Sequence, residues 1–446
     1  MTRELPYSTR QHKHKDRFLM KLIPALMALA LIASAPAMAQ DEGAMSVDLQ
    51  TAISNALQHN KQLQASTIDK EIYYQKVREA RSKGLPQVDA KFTANTYFNK
   101  SLDFGGMAMK MPNSLTFTAT ASWTFAMQQI ASVKVAKIAQ RLTDVTVDQT
   151  ELDIKANVAD TYYAILVYER NMVILNDNLK DMQDIANHTA RCYEVGTVEQ
   201  TDVDQITINV TTLQNAILSL QRSLETTKKL LVLQMGIDIN TKITPAETLS
   251  QVLEANAGVD TAKLDIANNV QYKQLLISKE VGEQTVKLRK FAYIPTLTAA
   301  YQFSKPVSGT AFMNFDHVGS LTLSIPIFSG FYRHSLVKQA QFDLQKTETN
   351  IALVEDNLTQ NAEQYSFNLQ TAIDAYELQK KNLDVARRVL ENYKNKYNQG
   401  ALSSLDLTQA NTNYLQAETS FASASLDLLM LRTSCLSSTT CSKADS

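Results

Sequence analysis

Two stretches carry polar residues at matching spacing. "YEVGTVEQTDVDQ" starts at Tyr193 and "YNQGALSSLDLTQ" at Tyr397, and tyrosine, glycine, aspartate and glutamine recur in them 204 residues apart. Such a set can make hydrogen bonds, place charge and turn the chain sharply. Glycine reaches left-handed backbone conformations at no steric cost. An aspartate near the start of a helix caps free amides and is favoured by the helix dipole. On spacing alone, Asp202 and Asp406 read as capping, solvated carboxylates.

Nothing else in the sequence reads as a reactive centre. The six histidines are scattered, and the one close pair, His12 and His14, lies in a basic leader. There is no glycine-rich phosphate loop, nucleophile elbow, paired-carboxylate site or metal-ligand spacing. The expectation is a protein that is not an enzyme and holds no cofactor or metal. Lys and Arg total 44 against 45 Asp and Glu, a balance that argues against nucleic acid as a partner.

The elements that must carry the two polar stretches are long. The 446 residues hold only 12 Gly and 9 Pro, so few turns are made. Residues 129–195 and 331–399 contain no breaker and can each be one helix of nearly 70 residues, about 100 Å long. Beyond each polar stretch, Val203, Ile206, Val210, Leu213, Ile217, Leu220 and Leu224 step by three and four. Leu407, Ala410, Tyr414, Ala417, Phe421, Ala424 and Leu428 do the same at the shared offset. This is the seam of a left-handed coiled coil, present twice.

The duplication extends upstream at a different offset. Asn60, Lys70, Glu71, Gln75, Val77, Pro86 and Ala90 match Asn269, Lys279, Glu280, Gln284, Val286, Pro295 and Ala299. After Pro86 and Pro295 the period changes to two. Four strands follow, each with an apolar and a polar face: from Val88, from Leu115, from Leu297 and from Leu321. Each has the length of a membrane β-strand. Four strands cannot close a barrel, so several copies must pool them; three copies give twelve.

The N-terminus reads as a secretory leader: a basic stretch, the apolar run "LIPALMALALIA" and the small-residue end "SAPAMA". A compact leader starting at Met20 fits the same pattern. Cys192, Cys435 and Cys441 form no C-x-x-C. A Cys435–Cys441 bridge would staple little in a tail that reads as disordered.

The ordered set of leader, duplicated helix–strand–strand–helix–hairpin units, "Y-x-x-G-x-x-x-x-x-D" turns, "GLPQV" and "YIPTL" strand starts and "IPIFSG" strand exit resembles the TolC family of outer-membrane efflux and secretion channels. The resemblance covers about Ser46 to Arg432. It implies a mainly α fold with membrane β: a homotrimer whose strands form a twelve-stranded outer-membrane barrel and whose coiled-coil hairpins form a periplasmic tunnel. It also implies docking of a periplasmic adaptor and an inner-membrane pump, with outer-membrane lipid around the barrel. Two other readings compete: a structural periplasmic coiled-coil or adaptor-like protein, and a monomeric porin-like barrel, for which four strands are too few.

On this resemblance the chain divides into a leader over 1–39, an N-terminal helix over 40–84, a β-hairpin over 85–128 and a long helix with its return over 129–236, tip near 193–202. An equatorial linker over 237–262 follows. The second half repeats the order over 263–292, 293–329 and 330–432, with its tip near 397–406 and a disordered tail over 433–446. Pro86, Pro295 and Pro326 mark helix–strand junctions.

The gate residues implied are Tyr193, Gly196, Asp202, Tyr397, Gly400, Asp406 and Gln409. Tyr397 and Asp202 match the family's tyrosine–aspartate link, and Asp406 its upper acidic ring. Leu402 stands where some members carry a locking arginine, and Gln409 where they carry a second acid. Trp123 reads equally as an interfacial anchor or a lipid contact.

Overall fold

The computed structural model describes residues 45–96, 98, 101–104, 107–110, 113–255, 266–308 and 315–437. The leader and the chain beyond Ser437, including Cys441, lie outside them.

In the first half, β1 (Met45–Val47) leads into α1 (Leu49–His59) and α2 (Lys61–Ser82). Next come β2 (Gln87–Asn95), a short hairpin of β3 (Ser101–Phe104) and β4 (Met107–Lys110), and β5 (Ser114–Phe125). α3 (Met127–Glu194) and α4 (Gln200–Met235) form the first helical hairpin. β6 (Ile243–Pro245) and α5 (Leu249–Ala255) link the halves. The second half has α6 (Val270–Lys290), β7 (Thr296–Ser308), β8 (His317–Ser324), α7 (Tyr332–Asn398) and α8 (Ser404–Ser437). α3 has 68 residues and α7 has 67.

Two expected elements differ. The single N-terminal helix is two, broken at Asn60, whose side chain accepts from Gln62 N–H (2.8 Å) and Leu63 N–H (3.3 Å) to start α2. The helix of the second hairpin continues to Ser437, past the expected tail boundary at 433.

Ion pairs show which helices meet. Near its start, α3 lies between α2 and α6: Lys70 pairs with Asp144 (3.0 Å) and Arg141 with Glu280 (2.9 Å). Toward its end it lies between α4 and α8: Lys228 pairs with Glu169 (2.6 Å) and Arg170 with Glu418 (3.1 Å). Lys279, the counterpart of Lys70, pairs with Glu348 on α7 (3.1 Å). Asn60 and Asn269 both cap helices, at φ/ψ of −61°/128° and −62°/129°. The duplication therefore holds to the level of single caps.

The largest apolar core lies midway along α3, where Val158, Ile165, Leu231 and Met235 are buried together with Val47 and Ile243 of the small β1–β6 sheet. Gly236 ends α4 with φ +70°, and a Cβ there would stand 2.2 Å from His59 O. Only glycine lets α4 end against the α1–α2 break. Among the described residues no helix is long and apolar enough to cross a membrane.

The strands form one antiparallel sheet in the order β2–β5–β7–β8. Its register matches apolar to apolar: Phe92 faces Phe117, Ala121 faces Tyr301 and Leu297 faces Leu323. On the opposite face Asp89 is level with Thr120, Lys91 with Thr118 and Thr298 with Thr322. The sheet thus has one apolar and one hydroxyl-rich side, and β2 and β8 are its edges. Pro86 and Pro295 each sit immediately before a strand, and Pro326 follows β8.

Candidate functional site

The two polar stretches are the reversals of the two helical hairpins, built alike. At the first, Gly196 N–H donates to Tyr193 O and Thr197 N–H to Cys192 O, both 2.9 Å. At the second, Gly400 N–H donates to Tyr397 O and Ala401 N–H to Lys396 O, both 2.9 Å. Gly196 has φ +74° and Gly400 φ +71°. This pair of bonds across a left-handed residue satisfies the last free carbonyls of a helix and points the chain back.

Each return helix then opens on a cap. Glu199 N–H donates to Asp202 Oδ2 (3.2 Å), one arm of a reciprocal capping box. Ser403 Oγ donates to Asp406 Oδ2 (2.7 Å) and accepts from Asp406 N–H (3.2 Å). Both aspartates are third in their helices, but only Asp202 caps a backbone amide; at the second helix Ser403 Oγ is the cap and Asp406 holds its hydroxyl. Gln409 bonds Asn413 on its own helix (3.0 Å) and is exposed. Tyr193 is exposed as well.

Four polar contacts tie the hairpins together at the tip. Thr189 Oγ1 gives its proton to Ile185 O (2.9 Å), so Tyr397 Oη, 2.7 Å away, must be the donor to Thr189 Oγ1. Ser404 Oγ donates to Asp202 Oδ1. Asn209 Nδ2 donates to Thr408 Oγ1 (2.6 Å), and Lys394 pairs with Asp181 (2.6 Å). Met182, Ile206 and Leu407 pack beneath these contacts, and Leu402 adds to that apolar cluster. Burial, with the Asp202 carboxylate as a lesser cause, pushes the Tyr397 hydroxyl above its ordinary pKa.

The expected direct Tyr397–Asp202 bond is not formed within this chain. Each partner reaches the other hairpin through an intermediary: Thr189 for the tyrosine, Ser404 for the aspartate. Sequence reading missed both. Thr189 resembles the many helical threonines that bond the carbonyl four residues back, and Ser404 is one of two adjacent serines at a helix start. The signal available was that Ser404 follows Gly400 by four residues, which is the first helical position.

Farther from the tip, Arg170 pairs with Glu418 and lies 4.8 Å over the Phe421 ring. Tyr414 Oη donates to Glu418 Oε1 (3.2 Å), and burial, then the Glu418 charge, pushes Tyr414 up to about 12. A groove of about 1280 Å³ opens here between α3, α7, α8 and the start of α5, and its lining includes Arg170, Asn178, Lys394, Tyr414, Glu418 and Arg432. Among the described residues, no three His, Cys, Asp or Glu side chains stand together as a metal site.

Two duplicated coiled-coil hairpins, tied at their tips and carrying a two-sided antiparallel sheet, define an outer-membrane channel subunit. The chain belongs to the outer membrane efflux protein family, whose profile matches residues 52–236 and 261–431. It is 23% identical over 443 residues to the outer membrane protein TolC of Escherichia coli (strain K12), covering 92% of this chain and 84% of that one. Its fold is similar to the crystal structure of CusC (TM-score 0.73, 15% identity, 91% and 96% of the two chains). It is also similar to the outer membrane channel CmeC of Campylobacter jejuni (TM-score 0.72, 15% identity, 89% and 87%). The protein is an outer-membrane exit duct for an efflux system.

Proposed function

We propose that three copies of this chain assemble into one duct, with a twelve-stranded barrel in the outer membrane and a periplasmic tunnel of helices closed at its tips. The observation that carries this is the four-stranded sheet with two open edges and two chemically opposite faces. An edge row of free amides and carbonyls is untenable in lipid. Pairing β8 of one copy with β2 of the next removes every edge, puts apolar residues toward lipid and leaves hydroxyls toward the lumen. The helices agree: Phe367 and Leu378 on α7 and Ile68 on α2 are exposed apolar side chains that a neighbouring copy would cover.

In this reading the duct does no catalysis, and an inner-membrane pump supplies the energy. A periplasmic adaptor joins the two, and the mixed-charge groove between α3, α7 and α8 offers it a polar seat. Cargo, small molecules or proteins, is selected by the pump. Cell fractionation followed by native electrophoresis tests the assembly. The expected result is a detergent-extracted trimer in the outer-membrane fraction that conducts in planar bilayers. A water-soluble monomer in the periplasmic extract would sink the proposal and favour a structural coiled-coil protein.

A further inference from the structure

The apolar side of the sheet carries a single full charge among its described strand residues, and that charge is positive. Strand alternation from Leu297 through Ala299, Tyr301 and Phe303 puts Lys305 on this side, and the register sets it level with Phe117. A lysine facing hydrocarbon is costly at mid-depth and tolerated near the rim. Lys305 is at the rim: it lies nine residues beyond the start of β7, about 30 Å from the helix end of the strand.

Its surroundings are aromatic. The rings of Phe92 and Phe117 are 5.0 Å apart, Phe117 and Phe303 6.4 Å, and Phe303 and His317 5.2 Å, one row crossing all four strands. Tyr301 Oη lies 2.7 Å from His317 Nδ1. With the tyrosine donating to Nδ1, the imidazole keeps its Nε2–H free as a donor. His317 faces Phe303 in the register, and Lys305 is the next same-side residue on β7. Such diagonal neighbours stand about 7–8 Å apart, a span that one phosphate group and its ester oxygens can bridge.

We propose that this patch docks the phosphorylated glucosamine headgroup of lipid A, the glycolipid of the outer leaflet. Lys305 and His317 take a phosphate, and the Phe92–Phe117–Phe303 row lies against sugar and upper acyl chains. The inference rests on the reading that this side faces lipid and the β3–β4 end faces outward. Charge and position together fix the occupant: the one full cation among the described strand residues of this side stands at the end of the sheet away from the helices, at the outer leaflet, where the phosphates are those on the sugars of lipid A. In the trimer the patch occurs three times.

The test is native mass spectrometry of the detergent-extracted trimer, titrated with bisphosphorylated lipid A, dephosphorylated lipid A or phosphatidylglycerol. Wild type is expected to take up to three lipid A molecules. Lys305→Gln should bind them about fivefold more weakly per site, with Lys305→Arg restoring binding. Lys91→Gln, on the opposite side of the sheet, should bind as wild type. Dephosphorylated lipid A should bind weakly and alike to all. Equal lipid A affinity of Lys305→Gln and wild type overturns the proposal, as does equal binding of the dephosphorylated lipid or phosphatidylglycerol by wild type. The wild-type titration keeps the question open to refutation even if a variant fails to assemble. Failure to find a trimer in the outer membrane would count against the assembly itself, a separate result.

Discussion

Removing the two hydroxyls that join the hairpins at the tip should open the duct. The double variant Tyr397→Phe/Ser404→Ala deletes the donor to Thr189 and the donor to Asp202. It leaves the Asp202 capping box in place, which an aspartate substitution would destroy. A buried neutral hydrogen bond contributes about 1 kcal/mol net, and one to a carboxylate about 1.5–3 kcal/mol. Together the losses weaken closure by about 2.5–4 kcal/mol per chain, which raises the open population by about two to three orders of magnitude. Threefold repetition multiplies the effect. Leu402 adds only apolar contact, so no guanidinium stands in for the lost bonds. In planar bilayers the variant should conduct more than the parent while forming trimers in equal yield. Cells carrying it without a pump should become sensitive to vancomycin. Parent-like conductance would show that the Met182–Ile206–Leu407 packing holds the tip and that the hydroxyls are incidental.

Other outcomes follow from the same geometry. Ala121→Lys, on the apolar side, should lower trimer yield at a cost of about 2–4 kcal/mol, whereas Thr120→Lys, level with Asp89, should assemble normally; equal yields on denaturing gels would show the strand phase is wrong. Lys91→Gln should shift the zero-current potential in a salt gradient toward cation preference and Asp89→Asn toward anions; shifts of the same sign would remove both from the lumen. Asp406→Asn should weaken block by multivalent cations without changing resting conductance, measured by cation titration of single channels. Gly400→Ala meets open space and should cost only the left-handed penalty of about 1–2 kcal/mol, while Gly236→Ala also drives a Cβ into the His59 carbonyl and should lower the heat-dissociation midpoint much further.

The architecture was legible because it is written in long periods. A stretch free of glycine and proline between Phe331 and Gln399 leaves little but one helix, and strict alternation from Leu115 to Phe125 leaves little but a strand. Local signals that need no partner were legible too, such as the turn glycines, Gly196 and Gly400. Contacts between helices were not. Whether Tyr397 of α7 meets Asp202 of α4 or Thr189 of α3 depends on how α7 is rotated against both helices of the first hairpin, which no local pattern states. The break at Asn60 escaped because no glycine or proline marks it and an N-cap asparagine alone does not show that the preceding turn ends; the end of α4 packs beside it, where Asn60 Nδ2 donates to Gln234 O (2.8 Å). That partner lies 174 residues away.

The open edges β2 and β8 have a genetic consequence. Each chain must be completed by a neighbour on both sides, so one faulty edge spoils a whole ring rather than a third of it. A cell expressing equal amounts of normal and edge-damaged subunits would keep only about one wholly normal ring in eight. An allele that breaks β2, for instance by a proline at Ala90, would therefore behave as dominant, whereas an allele that abolishes the chain altogether would be recessive.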